Sequence, residues 1–200
     1  MDLSRFSYDA LIFDCDGTLV NSEPLHFEAF RLALLDQAAR FDRKWYLERL
    51  GLTRLELLTE FSRFTKISVD INKAVTSSEL NFLKLTNELD VIPEIAAIAQ
   101  GNWKKVPMAV ASSGQRLSVI TSLESVGLLK LFDKIVTAED VAEHKPLPEP
   151  YLKASKKLSI SPERCLVFED TDQGLESARR AGCSVVDVRT IAAIYKTYLV

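Results

Sequence analysis

The acidic residues of this chain are concentrated at positions that directly follow short apolar runs. Asp14 and Asp16 come after the run that begins at Ala10, and the pair Glu169-Asp170 follows another. Each run is typical of a buried parallel strand, and the carboxyl ends of parallel strands border one crevice. Carboxylates that meet there cannot all stay ionised unless a cation or a basic side chain neutralises them. Because oxygen ligands without a nearby His or Cys pair favour a hard ion, the pattern predicts a Mg²⁺ site.

Groups suited to holding an anion lie in three other segments. Gly17-Thr18 follows Asp16 directly, and the glycine permits a tight turn that brings backbone close to a ligand. Ser112-Ser113-Gly114 ends a second predicted strand and begins a helix, so it offers hydroxyl and N–H groups to an anion. Lys145 lies in a proline-bounded segment just beyond a third predicted strand. A carboxylate cluster, a metal ion, an anion cradle and one lysine are the components of a phosphoryl-transfer site.

These residues need a scaffold in which several strands run parallel. Apolar runs of strand length alternate with amphipathic stretches of helical length along most of the chain. The predicted strands are residues 10–14, 106–111, 134–137, 164–168 and 184–188. The helices predicted between the later strands are residues 115–125, 151–158 and 175–181. Single helices between strands imply right-handed crossovers, so we predict an α/β fold with a Rossmann-like, mostly parallel sheet flanked by helices.

The segment from residue 24 to residue 89 breaks this alternation. Its apolar residues recur at helical spacing, and it contains no convincing strand. The positions that carry this pattern include Leu47, Leu50, Leu55, Leu58, Phe61 and Phe64. We therefore predict an all-helical cap subdomain, residues 21–89, inserted into a core formed by residues 1–20 and 90–200. The hinges are expected near residues 20–22 and 87–93, and the weakly amphipathic tail, residues 191–200, is left unplaced.

Composition limits the classes of protein that this chain can represent. Its 200 residues, 47% hydrophobic and 26% charged, are those of one globular domain with a modest insert. A formal net charge of −3 offers no basic field for nucleic acid or an anionic membrane. No apolar run approaches the roughly 18 residues that span a bilayer. Cys15, Cys165 and Cys183 suit neither a disulfide framework nor a zinc site. We expect a cytoplasmic monomer that binds a small molecule, and neither nucleic acid nor membrane.

Four segments resemble the four motifs of the haloacid dehalogenase superfamily, in that family's order and over essentially the whole chain. They are Asp14-Cys-Asp-Gly-Thr-Leu, Ser112, Lys145-Pro and Phe168-Glu-Asp-Thr-Asp-Gln-Gly. The segments Asn21-Ser-Glu-Pro-Leu-His26 and Gly174 to Gly182 are similar to one branch of it, the β-phosphoglucomutases and small sugar-phosphate phosphatases with a helical cap after the first motif. Within that branch the chain resembles the fructose-1-phosphate and 6-phosphogluconate phosphatase type.

The resemblance implies roles for the acidic residues. Asp14 would be the nucleophile that forms an aspartyl-phosphate. Asp16 would protonate the leaving alkoxide and then deprotonate water. The Mg²⁺ ligands would be Asp14, the backbone carbonyl of Asp16, and Asp170. Glu169 would lie in the coordination shell or next to it.

The resemblance also implies how the substrate is held. Ser112, with the neighbouring Ser113 and Gly114, would bind the oxygens of the transferring phosphate, and Lys145 would offset the charge that develops on them. In the cap, Gly51-Leu-Thr-Arg54 begins a predicted helix and resembles the family's specificity segment, whose arginine meets the distal end of the substrate. His26, near the hinge on the first predicted cap helix, would have a hinge or entrance role in substrate binding, and a purely structural role is equally open.

We therefore predict a Mg²⁺-dependent phosphatase of small sugar or polyol phosphates, and two alternatives stay open. A β-phosphoglucomutase would use the same Asp14 and Asp16 but would return the phosphoryl group to a bisphosphate intermediate instead of to water. A non-catalytic sugar-phosphate sensor is the other. The intact set of Asp14, Asp16, Lys145 and Asp170 argues against a sensor, because a binding protein needs no nucleophile paired with a proton donor.

Overall fold

A five-stranded parallel sheet forms the centre of the computed structural model, which describes residues 3–194. Its strands are β1 (Ala10–Phe13), β4 (Met108–Ala111), β5 (Lys134–Val136), β6 (Cys165–Glu169) and β7 (Ser184–Asp187). Their order across the sheet is β5-β4-β1-β6-β7, so β1 is central and pairs with β4 and β6. The predicted α/β fold with a mostly parallel sheet is confirmed, and no predicted strand end differs from the observed one by more than two residues.

Helices cover both faces of this sheet. They are α5 (Pro93–Asn102), α6 (Arg116–Ser125), α7 (Glu149–Leu158) and α8 (Asp172–Arg180). Successive residues of β1 point to opposite faces, so Leu11 and Phe13 pack with α5 and α6, whereas Ala10 and Ile12 pack with α7 and α8. The sequence pattern predicts no helix at α5, which begins at Pro93, where the fixed φ of proline favours the first helical turn.

Four helices follow the first motif. They are α1 (Glu23–Leu35), α2 (Arg43–Leu47), α3 (Arg54–Thr65) and α4 (Ile71–Leu85). They enclose a separate apolar cluster that includes Phe30, Phe41, Trp45, Tyr46, Leu57, Leu58 and Phe61. Not every apolar residue at helical spacing is buried here: Leu55 and Phe64 are 56% and 64% exposed. An amphipathic helix such as α3 buries one stripe, and these two residues lie outside it.

The two chain passages that join the insert to the sheet pair with each other. β2 (Val20–Asn21) and β3 (Asp90–Val91) form a short antiparallel ribbon, with Val20 opposite Val91 and Asn21 opposite Asp90. The ribbon lies at the residues where hinges are expected, but its pairing is not predictable from the sequence, because two-residue strands carry no periodicity. The division into core and cap at residues 20/21 and 89/90 stays a prediction. Within residues 3–194, every helix is too short or too polar to cross a membrane.

Candidate active site

One cavity of about 700 Å³ lies between the carboxyl ends of the central strands and the helical insert. All of the predicted site residues line it: Asp14, Asp16, His26, Arg54, Ser112, Ser113, Gly114, Lys145, Glu169 and Asp170. The convergence follows from the topology, because β4 and β6 flank β1 and all three strands run in the same direction. Residues that are up to 156 positions apart in the chain therefore meet at one edge of the sheet.

Lys145 connects the first motif to the last through its ammonium group. Lys145 Nζ donates to Asp14 Oδ1 and to Glu169 Oε2, both at 2.7 Å. All three residues are buried, with at most 6% of the surface of each exposed. Burial alone would lower the pKa of Lys145, but the two carboxylates outweigh it and raise that pKa well above the usual value. Lys145 therefore carries its charge at neutral pH, directly beside the predicted nucleophile.

Three buried carboxylates lie close enough to share a cation. Asp14, Glu169 and Asp170 each bring one oxygen to within 4.8 Å of the others, and Thr18 Oγ1 donates to Asp170 Oδ1 at 3.0 Å. Burial, followed by the negative charges of Glu169 and Asp14, raises the pKa of Asp170. Lys145 Nζ forms ion pairs with two of these three carboxylates, those of Asp14 and Glu169. Clustered carboxylate oxygens are hard donors that fit a Mg²⁺ ion.

The carboxylate of Glu169 is held on both of its oxygens. Oε2 accepts hydrogen bonds from Lys145 Nζ and from the hydroxyl of Tyr151, each at 2.7 Å. Oε1 accepts from the backbone N–H groups of Asp170 and Thr171 at 2.9 Å, and from Thr171 Oγ1 at 3.0 Å. Glu169 thus lies beside Asp14 and Asp170. Its place in the coordination shell of a metal ion, or next to that shell, stays a prediction.

Asp16 belongs to a second polar group, at the border of the core and the insert. Its Oδ1 accepts from Ser22 Oγ at 2.6 Å and lies 2.9 Å from His26 Nε2. Burial would raise the pKa of Asp16, but His26 and the hydroxyl of Ser22 outweigh it and lower the pKa. In this arrangement Asp16 is therefore an ionised hydrogen-bond acceptor.

Arg54 fixes which nitrogen of His26 carries the hydrogen. Arg54 Nη2 lies 3.3 Å from His26 Nδ1, and a guanidinium group can only donate. Nδ1 is therefore the acceptor, so the hydrogen of a neutral ring is on Nε2, from which it is donated to Asp16. Burial lowers the pKa of His26 even though Asp16 opposes this, which agrees with a neutral ring near pH 7. A chain of hydrogen bonds thus runs from Arg54 through His26 to Asp16.

The guanidinium of Arg54 is itself held by residues of the insert. It lies 5.2 Å from the ring centre of Phe30 and 5.5 Å from that of Phe82, and it donates to Ser78 Oγ at 3.3 Å. Thr53 caps the helix that begins at Arg54, in a reciprocal capping box with Glu56. The side chain therefore reaches the cavity in one defined orientation.

The segment after β4 lies beside Asp16. Gly114 N–H donates to Ser112 Oγ at 2.9 Å, and a Cβ added at Gly114 would lie 3.4 Å from Asp16 Oδ2. Ser112 is buried, and both it and Ser113 line the cavity. The predicted anion cradle and the predicted proton donor are thus neighbours, as protonation of the oxygen that leaves the phosphorus requires.

Several polar groups around this cavity are not among the predicted site residues. Glu23 and Gln173 each have one buried carbonyl or carboxylate oxygen with no hydrogen-bond partner among the described residues, and both line the cavity. Tyr46 lines it from the insert, and Tyr151 approaches Glu169 from α7. Their types are common in any helix, so nothing in the local pattern singled them out.

The insert and the core touch at the rim of the cavity. A Cβ added at Gly51 would lie 3.2 Å from Thr171 Oγ1, and Gly51 has φ +95°, a conformation that favours glycine. The loop before α3 therefore lies directly against the end of β6, which narrows access to the carboxylate cluster.

Comparisons with known proteins find similarity to phosphatases of phosphorylated carbohydrates. The chain is 29% identical over 185 residues to the fructose-1-phosphate phosphatase YqaB of Escherichia coli (strain K12), covering 92% of this chain and 98% of that protein. It is 30% identical over 178 residues to a phosphorylated carbohydrates phosphatase of Thermotoga maritima, covering 87% and 82%. It superimposes with a TM-score of 0.83 on CbbY from Rhodobacter sphaeroides in complex with phosphate, at 28% identity over 89% of this chain and 84% of that one.

A β-phosphoglucomutase of Clostridium difficile has the same fold, with a TM-score of 0.78 at 21% identity over 96% of each chain. The family model described as haloacid dehalogenase-like hydrolase matches residues 11–188, which include all of the motifs of the predicted site. The chain therefore belongs to the haloacid dehalogenase-like hydrolase family.

Proposed function

We propose that this protein is a Mg²⁺-dependent phosphatase that hydrolyses small sugar or polyol phosphates through an aspartyl-phosphate. Hydrolysis of phosphoric monoesters of carbohydrates is the coarser activity that family membership and the named relatives support. The observation that carries the proposal is the meeting of Asp14, Asp16 and Lys145 with a buried carboxylate cluster in one cavity. A binding protein would need only some of these groups.

Asp14 is the nucleophile in this proposal. Its carboxylate lies at the end of the central strand, buried and in contact with the ammonium of Lys145. Burial raises the pKa of Asp14, with Lys145 opposing this effect, so additional positive charge at the site keeps the carboxylate ionised. Asp14 and Asp170, with the backbone carbonyl of Asp16, would hold Mg²⁺, whose charge also screens the repulsion between the nucleophile and the phosphate. In this proposal Lys145 faces the oxygens of the transferring phosphate, on which negative charge develops in the transition state.

Asp16 is the proton donor to the leaving oxygen and the base for the attacking water. Its hydrogen bonds to Ser22 and His26 favour the ionised form, which is the form that activates water. A dianionic phosphate bound beside Asp16 repels that charge and raises the pKa of its carboxyl, which favours the protonated form needed when the substrate binds. One carboxyl can thus serve both half-reactions.

The polar groups around the cavity favour a substrate that carries hydroxyl groups. The free oxygen of Glu23 and the phenol of Tyr46 line the cavity on the side of the insert, near Arg54. A buried acceptor without a partner costs about 1–3 kcal/mol, which a hydroxyl donor from the ligand would offset. Arg54 could donate to a further hydroxyl or to an anionic group at the same end of the substrate.

The mutase alternative uses the same residues and is tested by the same experiment. The purified protein is assayed for free phosphate with p-nitrophenyl phosphate and with a panel of sugar phosphates, with Mg²⁺ and after chelation, while isomer formation is followed by chromatography. We expect Mg²⁺-dependent release of phosphate without isomers. Isomers without net phosphate release would establish the mutase, and absence of both from every substrate would refute catalysis of phosphoryl transfer.

A further inference from the structure

A buried phenol lies behind the carboxylate that holds Lys145. Tyr151 on α7 is fully buried, and its hydroxyl donates to Glu169 Oε2 at 2.7 Å. Its ring lies beneath the lysine, with Lys145 Nζ 5.0 Å from the ring centre. Neither the predicted chemistry nor the sequence motifs assign a function to this hydroxyl.

The position of the ammonium depends on where the carboxylate of Glu169 lies. Lys145 Nζ has two acceptors in the described structure, Asp14 Oδ1 and Glu169 Oε2. If Glu169 Oε2 moves, the ammonium group moves with it relative to the nucleophile. Tyr151 is the second donor to that same oxygen and therefore restrains it directly.

The packing around Glu169 leaves it little freedom in other directions. A Cβ added at Gly174 would lie 1.8 Å from Glu169 Oε2, so the carboxylate fills the space that any larger residue would need. Thr171 holds the other oxygen through its N–H and hydroxyl. Glu169 Oε2 therefore has one defined position, because it packs against Gly174 and accepts a hydrogen bond from the phenol of Tyr151.

We propose that Tyr151 is a positioning residue for phosphoryl transfer, acting through Glu169 to place the ammonium of Lys145 beside Asp14. The inference rests on the proposed function, because it assigns Lys145 to the transferring phosphate. The restraint comes from the hydroxyl of Tyr151. In Tyr151→Phe the ring would fill the same space, but Lys145 would be the remaining donor to Glu169 Oε2 among the described contacts. The lysine would then be less tightly fixed against the charge that develops in the transition state.

The first test removes this hydroxyl alone. Since misplacement of a catalytic group by about 1 Å can cost a factor of about 100, we expect Tyr151→Phe to lower kcat for p-nitrophenyl phosphate roughly tenfold, with KM nearly unchanged. The dissociation constant of orthovanadate, which mimics the five-coordinate transition state, should rise by a similar factor, whereas that of inorganic phosphate should change less.

The midpoint of thermal unfolding is measured in parallel. Tyr8→Phe is the matched control, because Tyr8 is partly buried just before β1, at the opposite end of the sheet.

The second test asks whether the effect passes through Glu169. In a Glu169→Gln background, Tyr151→Phe should have almost no further effect on kcat or on vanadate binding, because the carboxylate it restrains is gone. Equal losses in both backgrounds, or wild-type kcat and vanadate affinity in Tyr151→Phe, would overturn the proposal. The vanadate measurement does not depend on turnover. A wild-type protein that hydrolyses no phosphate ester would therefore refute the proposed function, while the vanadate data still decide the role of Tyr151.

Discussion

His26 Nε2 lies 2.9 Å from Asp16 Oδ1, so the first helix of the insert contacts the carboxylate that we assign as proton donor and base. Since Arg54 donates to the other nitrogen of the same ring, α1 and α3 both act on Asp16 through one imidazole. The side of the insert that lines the cavity is thus coupled to Asp16 by direct hydrogen bonds.

Asp16→Asn should slow substrates in proportion to how much their leaving group needs a proton. Sugar phosphates release an alkoxide and depend on the acid, whereas p-nitrophenolate leaves readily without it. We expect a loss of about 10²–10⁴ in kcat for sugar phosphates and a clearly smaller loss for p-nitrophenyl phosphate. Equal slowing of the hydrolysis of both substrates would mean that Asp16 acts only by positioning the substrate or binding the metal ion.

Asp14→Asn should abolish turnover while leaving the fold intact. An amide cannot attack phosphorus, so kcat should fall by at least about 10³. The neutral side chain removes one negative charge from a crowded buried cluster, so the metal-free protein should unfold at a midpoint no lower than that of the wild type. Asp36→Asn, an exposed position after α1, is the control. Turnover within about tenfold of wild type would contradict the assignment of the nucleophile.

Metal removal should both inactivate and destabilise the protein. Mg²⁺ at a hundredfold excess over its dissociation constant should add about 2.7 kcal/mol to the free energy of unfolding, because the ion binds only the assembled cluster. In Asp170→Asn this Mg²⁺-dependent increase should be largely lost, whereas the metal-free protein should be as stable as wild type or more so. Thermal unfolding after chelation and after readdition of Mg²⁺ measures both effects. A wild-type protein whose midpoint is the same with and without saturating Mg²⁺ would exclude this site.

Arg54→Ala tests whether the insert recognises the far end of the substrate. Loss of a charge-assisted hydrogen bond of about 1.5–3 kcal/mol corresponds to a fall in kcat/KM of roughly ten- to a hundredfold for sugar phosphates. p-Nitrophenyl phosphate has only a nitro group at that end, which is a weak hydrogen-bond acceptor, so its kcat/KM should be affected little. Arg63→Ala, an exposed arginine on the same helix, is the matched control. A parallel fall for both substrates would indicate instead that the change acts through His26 and Asp16.

Asp140 provides a stability prediction outside the site. Burial alone would raise its pKa, but the N–H of Thr137 and the charges of Lys157 and Arg116 outweigh this and lower it. A carboxyl with a lowered folded-state pKa stabilises the protein above its unfolded-state pKa, and this contribution is lost as the pH falls through the folded-state value. We expect Asp140→Asn to lower the free energy of unfolding by about 1–2 kcal/mol at pH 7. The difference in the free energy of unfolding between Asp140→Asn and wild type should stay constant down to about pH 5 and shrink below about pH 4. A difference that does not change across this range would contradict the ionic origin of the effect.

Much of the scaffold was predictable because its signals are local. Each strand of the sheet is a short apolar run, and every run predicted to be a strand is one. α5 was not predicted, because its start at Pro93 lies within a segment interpreted as a hinge. The β2–β3 ribbon was not predicted, because its strands have two residues each. Helical periodicity in the insert did not distinguish the buried Phe61 from the exposed Phe64, since both fit the same spacing at the end of α3.

By itself the sequence indicated which acids, which lysine and which serine would converge, since each follows a predicted parallel strand and the carboxyl ends of such strands border one crevice. Only the tertiary structure decided what each of these groups touches. The contact of Tyr151 with Glu169 joins residues 18 positions apart on a helix and a strand, and that of Lys145 with Asp14 spans 131 positions. Such hydrogen bonds depend on how side chains from separate elements pack and orient, and no periodicity or motif in the chain encodes that orientation.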